Sequence, residues 1–359
     1  MEFGLSSEQI LLQDTLHRFL YAQAPLARVR HYCAGQIDDT DIWQGLVALG
    51  VSGLLIPERL GGVGLGCLDA VVVAEALGYH VTPTPFLSSA VMAPVALLAA
   101  GGQEHVLGEI ALGAQRVGIA FGEALGARVD AAVTVDVNDA GAALNGKAIF
   151  VLDADADSYL VATTQHHLYL VDATAEGLAR QVLTTIDKTR TTCELRLQQV
   201  PATLVSDDPL VFSKALDAGR VMQAADTLGA AQCALDQAVE YAKQRKQFNR
   251  LIGSFQAVKH MCAEMAARLE PCRSLVWYAG HALDHLVDES PLMACHAKAH
   301  LAEVGKFVAK TATEVHGGMG FTDLVGLHYW FKRIGANRQL LGSPELVRED
   351  AARRQGMIA

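Results

Sequence analysis

The sequence lacks any apolar run of the about 18 residues that a membrane-spanning helix needs, and its first residues do not resemble a signal peptide. It also lacks an excess of basic residues. The formal net charge of −10 disfavours nucleic acids and anionic membranes as partners. We therefore expect a cytoplasmic protein, in which a phosphate-bearing ligand needs a local basic pocket.

Cysteine is sparse, and its spacing excludes two kinds of site. The 7 cysteines are an odd number, and no two of them form a C-x-x-C pair. A disulfide framework uses an even number of cysteines, and a structural zinc site uses closely spaced pairs. The sequence therefore predicts free thiols, as in a reducing compartment, and no metal site.

A phosphate-binding glycine loop is also missing. The segment GLLIPERLGGVGLG at 53–66 is rich in glycine, but no strand precedes it and no Lys-Ser or Lys-Thr pair follows it. Glycines in this arrangement are typical of irregular backbone. We interpret the segment as a structural turn.

What is present is a chain of three parts, 51% hydrophobic and able to bury a large core. Residues 1–115 show helical patterns that begin at Ser6. Residues 116–205 hold six short β-rich runs, typical of an antiparallel barrel or sandwich. Residues 206–359 contain three long amphipathic helices in succession. The sequence therefore predicts an α+β fold: an N-terminal helical domain, a middle antiparallel β-barrel or sandwich, and a C-terminal four-helix bundle.

The first chemically informative motif is RKQFNRLIGSFQ at 245–256, where one long helix is predicted to end and the next to begin. Arg245 offers a planar bidentate donor for a phosphate. Gln247 and Gln256 can bond ribose or phosphate oxygens, and Phe248 offers a flat apolar wall. Alternatively, Arg245 only caps the C-terminus of a helix, a position that favours a cation.

The second motif is VHGGMGFT at 315–322, where Gly317 is predicted to end a helix. Glycine at positions 317 and 318 lets a cofactor approach the backbone closely.

These two motifs, in a chain with this order of domains, resemble those of the acyl-CoA dehydrogenase family. The segments GLLIPERLGGVGLG and DKTR (187–190) match the family as well, and the resemblance extends from end to end. It implies FAD as cofactor, abstraction of an acyl-CoA α-proton by a carboxylate, and transfer of electrons to an electron-transfer flavoprotein. It also implies that both motifs hold the FAD tail of a neighbouring subunit. The implied contacts are Arg245, Gln247, Phe248, Gln256, Glu314, Val315, His316, Gly317 and Gly318.

The elements that hold the flavin ring in the family differ here. Gly122 stands where the family has a threonine whose hydroxyl meets the flavin. Ala124 replaces a proline, and Arg128 and Val129 replace a Gly-Ser pair. On a second strand the residues 150–152 are Phe, Val and Leu, which provide no hydroxyl.

The catalytic base of the family is missing too. Leu341 occupies the common position of the glutamate, and Gly219 occupies the alternative position. Neither can remove a proton, and losing a positioned base costs about 10²–10⁴-fold in rate. Asp226 is the best substitute in the chain, although an acid there is more often an ordinary charge on a helix face. The resemblance also assigns Arg220 and Asp217 to the substrate side.

Loss of the base together with the flavin-ring contacts, but not of the tail motifs, predicts the non-catalytic subunit of a heteromeric, α2β2 acyl-CoA dehydrogenase. Its implied partner is a second acyl-CoA dehydrogenase subunit. Bacterial enzymes of this type act on bulky acyl-CoA thioesters, including steroid side-chain intermediates. Two alternatives stay open: a self-sufficient homotetrameric dehydrogenase with an unusual base such as Asp226, and a non-enzymatic flavin-binding or scaffold relative.

Overall fold

The structure is a computed structural model that describes residues 4–122, 132–138 and 141–358. Helices form both ends of the chain, and strands form the middle. The arrangement of helical, β and helical parts predicted from the sequence is confirmed. The described part of the chain contains no helix with the length and apolarity that crossing a membrane requires.

Six α-helices and a π-helical turn (Phe86–Met92) lie in the described residues of the N-terminal part. The α-helices are α1 (Ser7–Gln23), α2 (Leu26–Cys33), α3 (Thr40–Ala48), α4 (Cys67–Tyr79), α5 (Ala93–Ala100) and α6 (Glu104–Ala111). The predicted start of α1 is confirmed, because the Ser6 hydroxyl accepts a hydrogen bond from the Gln9 backbone N–H at 3.2 Å. The Gln9 side chain in turn accepts the Ser6 N–H at 3.0 Å, which completes a capping box.

The glycine-rich segment between α3 and α4 forms a structural turn with one short 3₁₀ turn at Glu58–Leu60. A Cβ atom at Gly62 would lie 2.0 Å from the carbonyl oxygen of Ile56, so the backbone packs on itself too closely for any side chain. The segment therefore folds against its own backbone, as a turn does.

Seven strands lie in the described residues of the middle part. They are β1 (Val117–Ala120), β2 (Val133–Asn138), β3 (Gly141–Leu152), β4 (Ser158–Ala162), β5 (Leu168–Asp172), β6 (Leu178–Val182) and β7 (Thr192–Ser206). The order is β2-β3-β1-β4-β5-β7-β6, and an additional pairing of β3 with β7 closes five strands into a barrel. The two remaining strands, β2 and β6, lie beside this barrel.

Two features of the sheet differ from the sequence prediction. Strands β1 and β4 pair in parallel, with Val117 opposite Ser158, so the barrel is not purely antiparallel. A short apolar run carries no information on strand direction. The strand β6 was missed because it lies at an edge and is mostly exposed, so its sequence LARQV shows no apolar alternation.

Five helices make up the C-terminal part. They are α7 (Pro209–Gln244), α8 (Gln256–His285), α9 (Ser290–His316), α10 (His328–Gln339) and α11 (Pro344–Arg354). Helices α7 and α9 run in the same direction, since Lys298 of α9 meets Gln223 of α7 and His316 of α9 meets Tyr241 of α7. The C-terminal ends of α7 and α9 therefore lie next to each other.

The N-terminal helix α4 packs directly against the C-terminal helices α7 and α10. The Tyr79 hydroxyl of α4 donates a hydrogen bond to Asp236 of α7 at 3.0 Å, and the Trp330 indole of α10 donates one to the Tyr79 carbonyl at 2.8 Å. All 7 cysteines are unpaired, as their spacing predicts. No group of side chains in the described ranges could hold a metal ion.

Candidate functional site

The first motif forms a small hairpin rather than the simple turn that the sequence suggests. Strands β8 (Lys246–Gln247) and β9 (Arg250–Leu251) pair with each other. Phe248 and Asn249 link them with φ angles of 51° and 61°. Two successive positive φ angles are typical of the type I′ turn, whose twist matches that of a two-stranded ribbon. The hairpin therefore presents its side chains beyond the ends of α7 and α8.

The side chains of this hairpin face solvent. Arg245, Gln247 and Gln256 are exposed, and Phe248 is 86% exposed. The Arg245 side chain makes no hydrogen bond or ion pair with any described residue, so it does not cap the carbonyls of α7. By contrast, the Arg250 guanidinium lies 3.8 Å from the centre of the Phe255 ring. Arg245 is therefore available to an anion.

The hairpin also has a local excess of positive charge. Residues 243–259 include five basic side chains and no acidic one. They are Lys243, Arg245, Lys246, Arg250 and Lys259. In a chain of net charge −10, this is the local basic surface that a phosphate-bearing ligand needs.

The second motif lies at the end of α9. Gly317 ends the helix with a φ of 59°, and its N–H donates to the Glu314 carbonyl. A Cβ atom at Gly317 or Gly318 would meet nothing within 4 Å, so the backbone here is open to a ligand. Gly317, Gly318 and Glu314 are exposed.

Val315 and His316 are placed differently. Both side chains are buried, so the structure does not present them for the cofactor contact that the sequence predicts. The His316 ring stacks on Tyr241 with a centroid distance of 4.6 Å, and its Nδ1 contacts the Ala312 carbonyl at 2.7 Å. Burial lowers the pKa of His316, which favours the neutral ring. These two buried residues anchor the glycine turn to the C-terminal helices.

A cavity of about 710 Å³ lies between the middle barrel and the C-terminal helices. Its wall brings together positions predicted to have lost their flavin or catalytic function: Gly122, Phe150, Leu152 and Leu341. Val151, between Phe150 and Leu152, is fully buried and does not line the cavity. The substituted positions Ala124, Arg128 and Val129 lie outside the described residues. The side chains of Phe150, Leu152 and Leu341 line this cavity but do not fill it.

The cavity wall is mostly apolar. Ile119, Phe121 and Leu346 extend the apolar surface that Phe150 and Leu341 begin. The hydroxyls of the wall come from positions that the sequence did not single out: Thr184, Thr185, Thr192 and Ser343. The Thr185 hydroxyl donates to the Asp187 carbonyl at 2.7 Å, so its hydrogen is not available to a ligand in the cavity.

The two positions at which the family carries its base are adjacent in space. A Cβ atom at Gly219 would lie 2.7 Å from Leu341 Cδ1, so the leucine occupies the space beside the glycine. Leu341 has a φ of 59°, and Arg220 Nε donates to its carbonyl at 3.0 Å. Neither position offers a carboxylate to the cavity.

Asp226 is not a charge on an exposed helix face, and that interpretation was wrong. It is 4% exposed, and its carboxylate accepts from Arg333 at 2.7 Å, Arg190 at 2.9 Å and Asn337 at 2.6 Å. Burial alone would raise its pKa, but the two arginines and the hydrogen bonds lower it to about 2. A carboxylate with so low a pKa is a weak base, and its oxygens already accept hydrogen bonds from the protein. Both properties disfavour Asp226 as a substitute for the catalytic base.

Arg220 and Asp217 do not line the cavity, contrary to their predicted place on the substrate side. Arg220 is fully buried and pairs with Asp350 of α11 at 2.7 Å. Asp217 lies 3.6 Å from Arg354 and 3.9 Å from Arg220, and burial raises its pKa to about 6. Arg220 thereby joins α11 and the Leu341 segment to α7 behind the cavity wall, whereas the contacts of Asp217 with Arg354 and Arg220 are longer.

The DKTR segment supplies one wall of the cavity and reaches the buried network. The Asp187 carboxylate accepts the Thr189 backbone N–H at 2.9 Å and hydroxyl at 2.6 Å, which fixes a tight turn. Arg190, which lines the cavity, is thereby directed toward Asp226. The further members of this network are Arg333, Asn337 and Lys298. They could not be recognised beforehand, because a polar residue on a helix looks the same in the sequence whether it is buried or exposed.

Two sequence models of one family match most of the chain. The acyl-CoA dehydrogenase N-terminal domain matches residues 6–107, and the acyl-CoA dehydrogenase C-terminal domain matches residues 210–356. The chain belongs to the acyl-CoA dehydrogenase family. The resemblance predicted from the motifs is confirmed.

Relatives within the acyl-CoA dehydrogenase family are similar over nearly the full length. The chain is 32% identical to "Acyl-CoA dehydrogenase IpdE2" of Mycobacterium tuberculosis, over 95% of each chain. Among solved structures, the "Tcur3481-Tcur3483 steroid ACAD G363A variant" is 29% identical over 98% of each chain, with a TM-score of 0.86. A chain of the "ChsE4-ChsE5 complex from Mycobacterium tuberculosis" is 24% identical over all of both chains, with a TM-score of 0.89, and shares the fold.

Proposed function

We propose that this acyl-CoA dehydrogenase chain is the non-catalytic subunit of a heteromeric, α2β2 enzyme that introduces an α,β double bond into an acyl-CoA thioester. The observation that carries the proposal is the contact between the two base positions. Leu341 packs beside Gly219, and both are apolar. Asp226, the best substitute in the chain, is held by two arginines. A chain without a base that removes the α-proton depends on a partner for that step.

The residues present fit the tail of FAD. Arg245 would bind the pyrophosphate as a bidentate donor, with Gln247 and Gln256 as further hydrogen-bond donors and acceptors. Phe248 would cover an apolar face, and the open backbone at 317–318 would allow close approach. FAD, when bound, supplies the acceptor for the hydride that leaves the β-carbon. This chain's residues would bind and orient the tail of a cofactor whose ring is held by the partner.

The heteromeric state is supported by the similar proteins. The solved "ChsE4-ChsE5 complex" and "Tcur3481-Tcur3483 steroid ACAD" are each named for two components. The word steroid in the name of the second supports a bulky, steroid-derived acyl group as the substrate class. An electron-transfer flavoprotein is the electron acceptor that we propose for the complex, and FAD is supported by the matched "PigA with FAD and proline".

The proposal is tested by expressing the chain alone and with its partner subunit. Alone, it should purify without flavin, because it binds only the tail of each FAD. The co-purified complex should contain one FAD for each pair of unlike subunits and should be reduced by acyl-CoA. A stable homo-oligomer of this chain that is fully flavinated and active would contradict the proposal and favour the homotetrameric alternative.

A further inference from the structure

A cavity of about 420 Å³ lies beside helix α1, and none of its described lining residues borders the apolar cavity. It is lined by polar and aromatic side chains, of which Gln13, His17 and Tyr21 come from α1. These three residues follow one another at a spacing of four, so one face of α1 borders the cavity. The facing side chains belong to α4, α7 and α8 or directly follow α4. The cavity therefore marks a polar part of the contact between α1 and the rest of the chain.

Two histidines meet at this cavity and form a pair. Nδ1 of His17, on α1, lies 3.0 Å from Nε2 of His80, which directly follows α4. A hydrogen bond at this distance needs one ring that donates an N–H and one ring that accepts with a lone pair. Two protonated rings would both present an N–H at the contact. The pair can therefore hold at most one extra proton while α1 stays docked.

Aromatic rings enclose the pair from two sides. Tyr79 meets the His17 ring edge-on, with a centroid distance of 5.4 Å and an angle of 90° between the planes. Tyr21 meets the His80 ring in the same way, at 6.2 Å and 89°. Both histidines are only partly exposed. A partly buried imidazole loses some of the hydration that would stabilise its charged form, so this environment favours neutral rings.

The charged groups that border the cavity or lie beside the pair come from four helices. Glu75 of α4 forms an ion pair with Arg273 of α8. The carboxylate of Asp236, on α7, accepts hydrogen bonds from two side chains, the nearer at 2.9 Å. The charge of Asp14, on α1 itself, raises the pKa of His17. The acids of α4 and α7 are thus already engaged, and Asp14 is the acid that favours a positive charge on the pair.

Burial outweighs the attraction of Asp14. It lowers the pKa of His17, and burial together with repulsion from His17 lowers the pKa of His80 to about 4. A histidine in an exposed segment has a pKa of about 6.5. Protonation therefore favours any state in which α1 has moved away and the rings are hydrated. The stability that the neutral pair gives to the docked state is fully present above about pH 6.5 and is lost as the pH falls toward 4.

We propose that the hydrogen bond between His17 and His80 makes the docking of α1 sensitive to acid, so that α1 opens away from α4 more often as the pH falls below about 6.5. Such local opening of one element is distinct from unfolding of the whole chain. The buried side chains of Leu16 and Leu20 still hold α1 when the pair is charged, so the opening is transient. The inference is independent of the proposed function, because both histidines lie outside the cofactor surface and the apolar cavity.

The decisive measurement is hydrogen–deuterium exchange of α1 in the co-purified complex, followed by mass spectrometry at pH 7.5 and pH 5.5. Conversion to protection factors removes the direct effect of pH on the chemical exchange rate. A group whose pKa is about 4 in the docked state and about 6.5 in the open state lowers protection about tenfold between these pH values. We therefore expect the protection of α1 to fall at least about tenfold. Equal protection of α1 at the two pH values would overturn the proposal.

A His17→Gln, His80→Gln double variant assigns the effect to the pair, because its amides can still hydrogen-bond but do not titrate. Its fall in protection should be less than about twofold. The matched control is His281→Gln, His285→Gln, an exposed ring pair on α8 with centroids 4.5 Å apart, which should keep the full fall. A fall of about tenfold that persists in the first double variant would also overturn the proposal.

The single variant His80→Gln covers the case in which the double variant leaves α1 unprotected even at pH 7.5. Its amide oxygen can still accept the N–H of His17, so α1 keeps its hydrogen bond to the segment after α4. The fall in protection should be at least about threefold smaller than in the unmodified complex, because the ring with the lower pKa is gone. A fall as large as that of the unmodified complex would again contradict the proposal.

Discussion

Tyr241 and His316 stack with their ring centroids 4.6 Å apart and their planes at 27°. Tyr241 lies one helical turn before Arg245, whose backbone N–H donates to the Tyr241 carbonyl at 2.9 Å. His316 directly precedes Gly317. This single contact therefore connects the basic hairpin to the open glycine turn, two motifs that lie about seventy residues apart in the sequence. It gives the proposed FAD-tail surface a fixed geometry within one chain.

Replacing Arg245 by alanine should weaken FAD retention in the complex, although the base lies on the other subunit. A charge-assisted hydrogen bond contributes about 1.5–3 kcal/mol, so the affinity for FAD should fall by about one to two decades. Release of FAD from the co-purified complex, followed by flavin fluorescence, measures the change.

Arg268→Ala is the matched control for this experiment, because Arg268 is also an exposed arginine but lies outside the basic hairpin and pairs with Glu264 at 2.5 Å. It should leave FAD affinity almost unchanged. Equal FAD affinity in Arg245→Ala and the unmodified complex would mean that Arg245 has no part in cofactor binding.

The sequence predicts the two motifs well because each is a local pattern. A helix end, a glycine and a solvent-facing arginine are determined by neighbouring residues, and the structure brings them together at one end of α7 and α9. The stack of Tyr241 on His316 could not be predicted, since it depends on how the two helices align. The inward orientation of Val315 and His316 was missed for the same reason.

The burial of charged residues such as Asp226 could not be predicted from hydrophobic periodicity. An apolar stripe on α7 predicts one buried face, with Asp226 outside it. The structure buries every residue from Ala215 to Ala231, because α4, α9 and α10 surround this stretch. The small alanine and glycine residues of α7 allow neighbouring helices to surround it on all sides. They do not indicate which polar residues of α7 become buried.

Placing a glutamate at the common base position should not create an active chain. Leu341→Glu would restore a carboxylate at the cavity wall, but Phe150 and Leu152 offer no hydroxyl to a flavin ring. We expect no acyl-CoA-dependent bleaching of flavin by this variant expressed alone. Stopped-flow absorbance measures it. Flavin binding and bleaching by Leu341→Glu alone would show that only the base separates this chain from a self-sufficient enzyme.

Asp217 should destabilise the fold at neutral pH. Burial raises its pKa to about 6, above the value of about 3.9 in an unfolded chain. A carboxyl group with a raised pKa in the fold costs stability as the pH rises from about 4 through about 6. Asp217→Asn should therefore raise the melting temperature at pH 8 and have little effect at pH 4. A lower melting temperature at pH 8 would show that the pairing with Arg354 and Arg220 outweighs burial.

Asp226→Asn is expected to lower stability rather than catalysis. The substitution removes the charge that two buried guanidinium groups, Arg190 and Arg333, share. Breaking a buried ion pair by removing one partner costs about 3–5 kcal/mol. Glu240→Gln, an exposed acid on the same helix, should cost at most about 1 kcal/mol and serves as the control. Urea unfolding of the co-purified complex compares the two variants.

The pH dependence and the flavin chemistry complete the test of Asp226. Its carboxylate has a pKa lowered to about 2 in the fold, against about 3.9 unfolded, so its stabilising effect is present above pH 4 and disappears as the pH falls toward 2. The stability gap between Asp226→Asn and the unmodified complex should narrow over that range. At neutral pH, stopped-flow bleaching of FAD by acyl-CoA should stay within a few-fold in the intact variant complex. A collapse of bleaching, with FAD bound and stability unchanged, would make Asp226 the base and this chain the catalytic one.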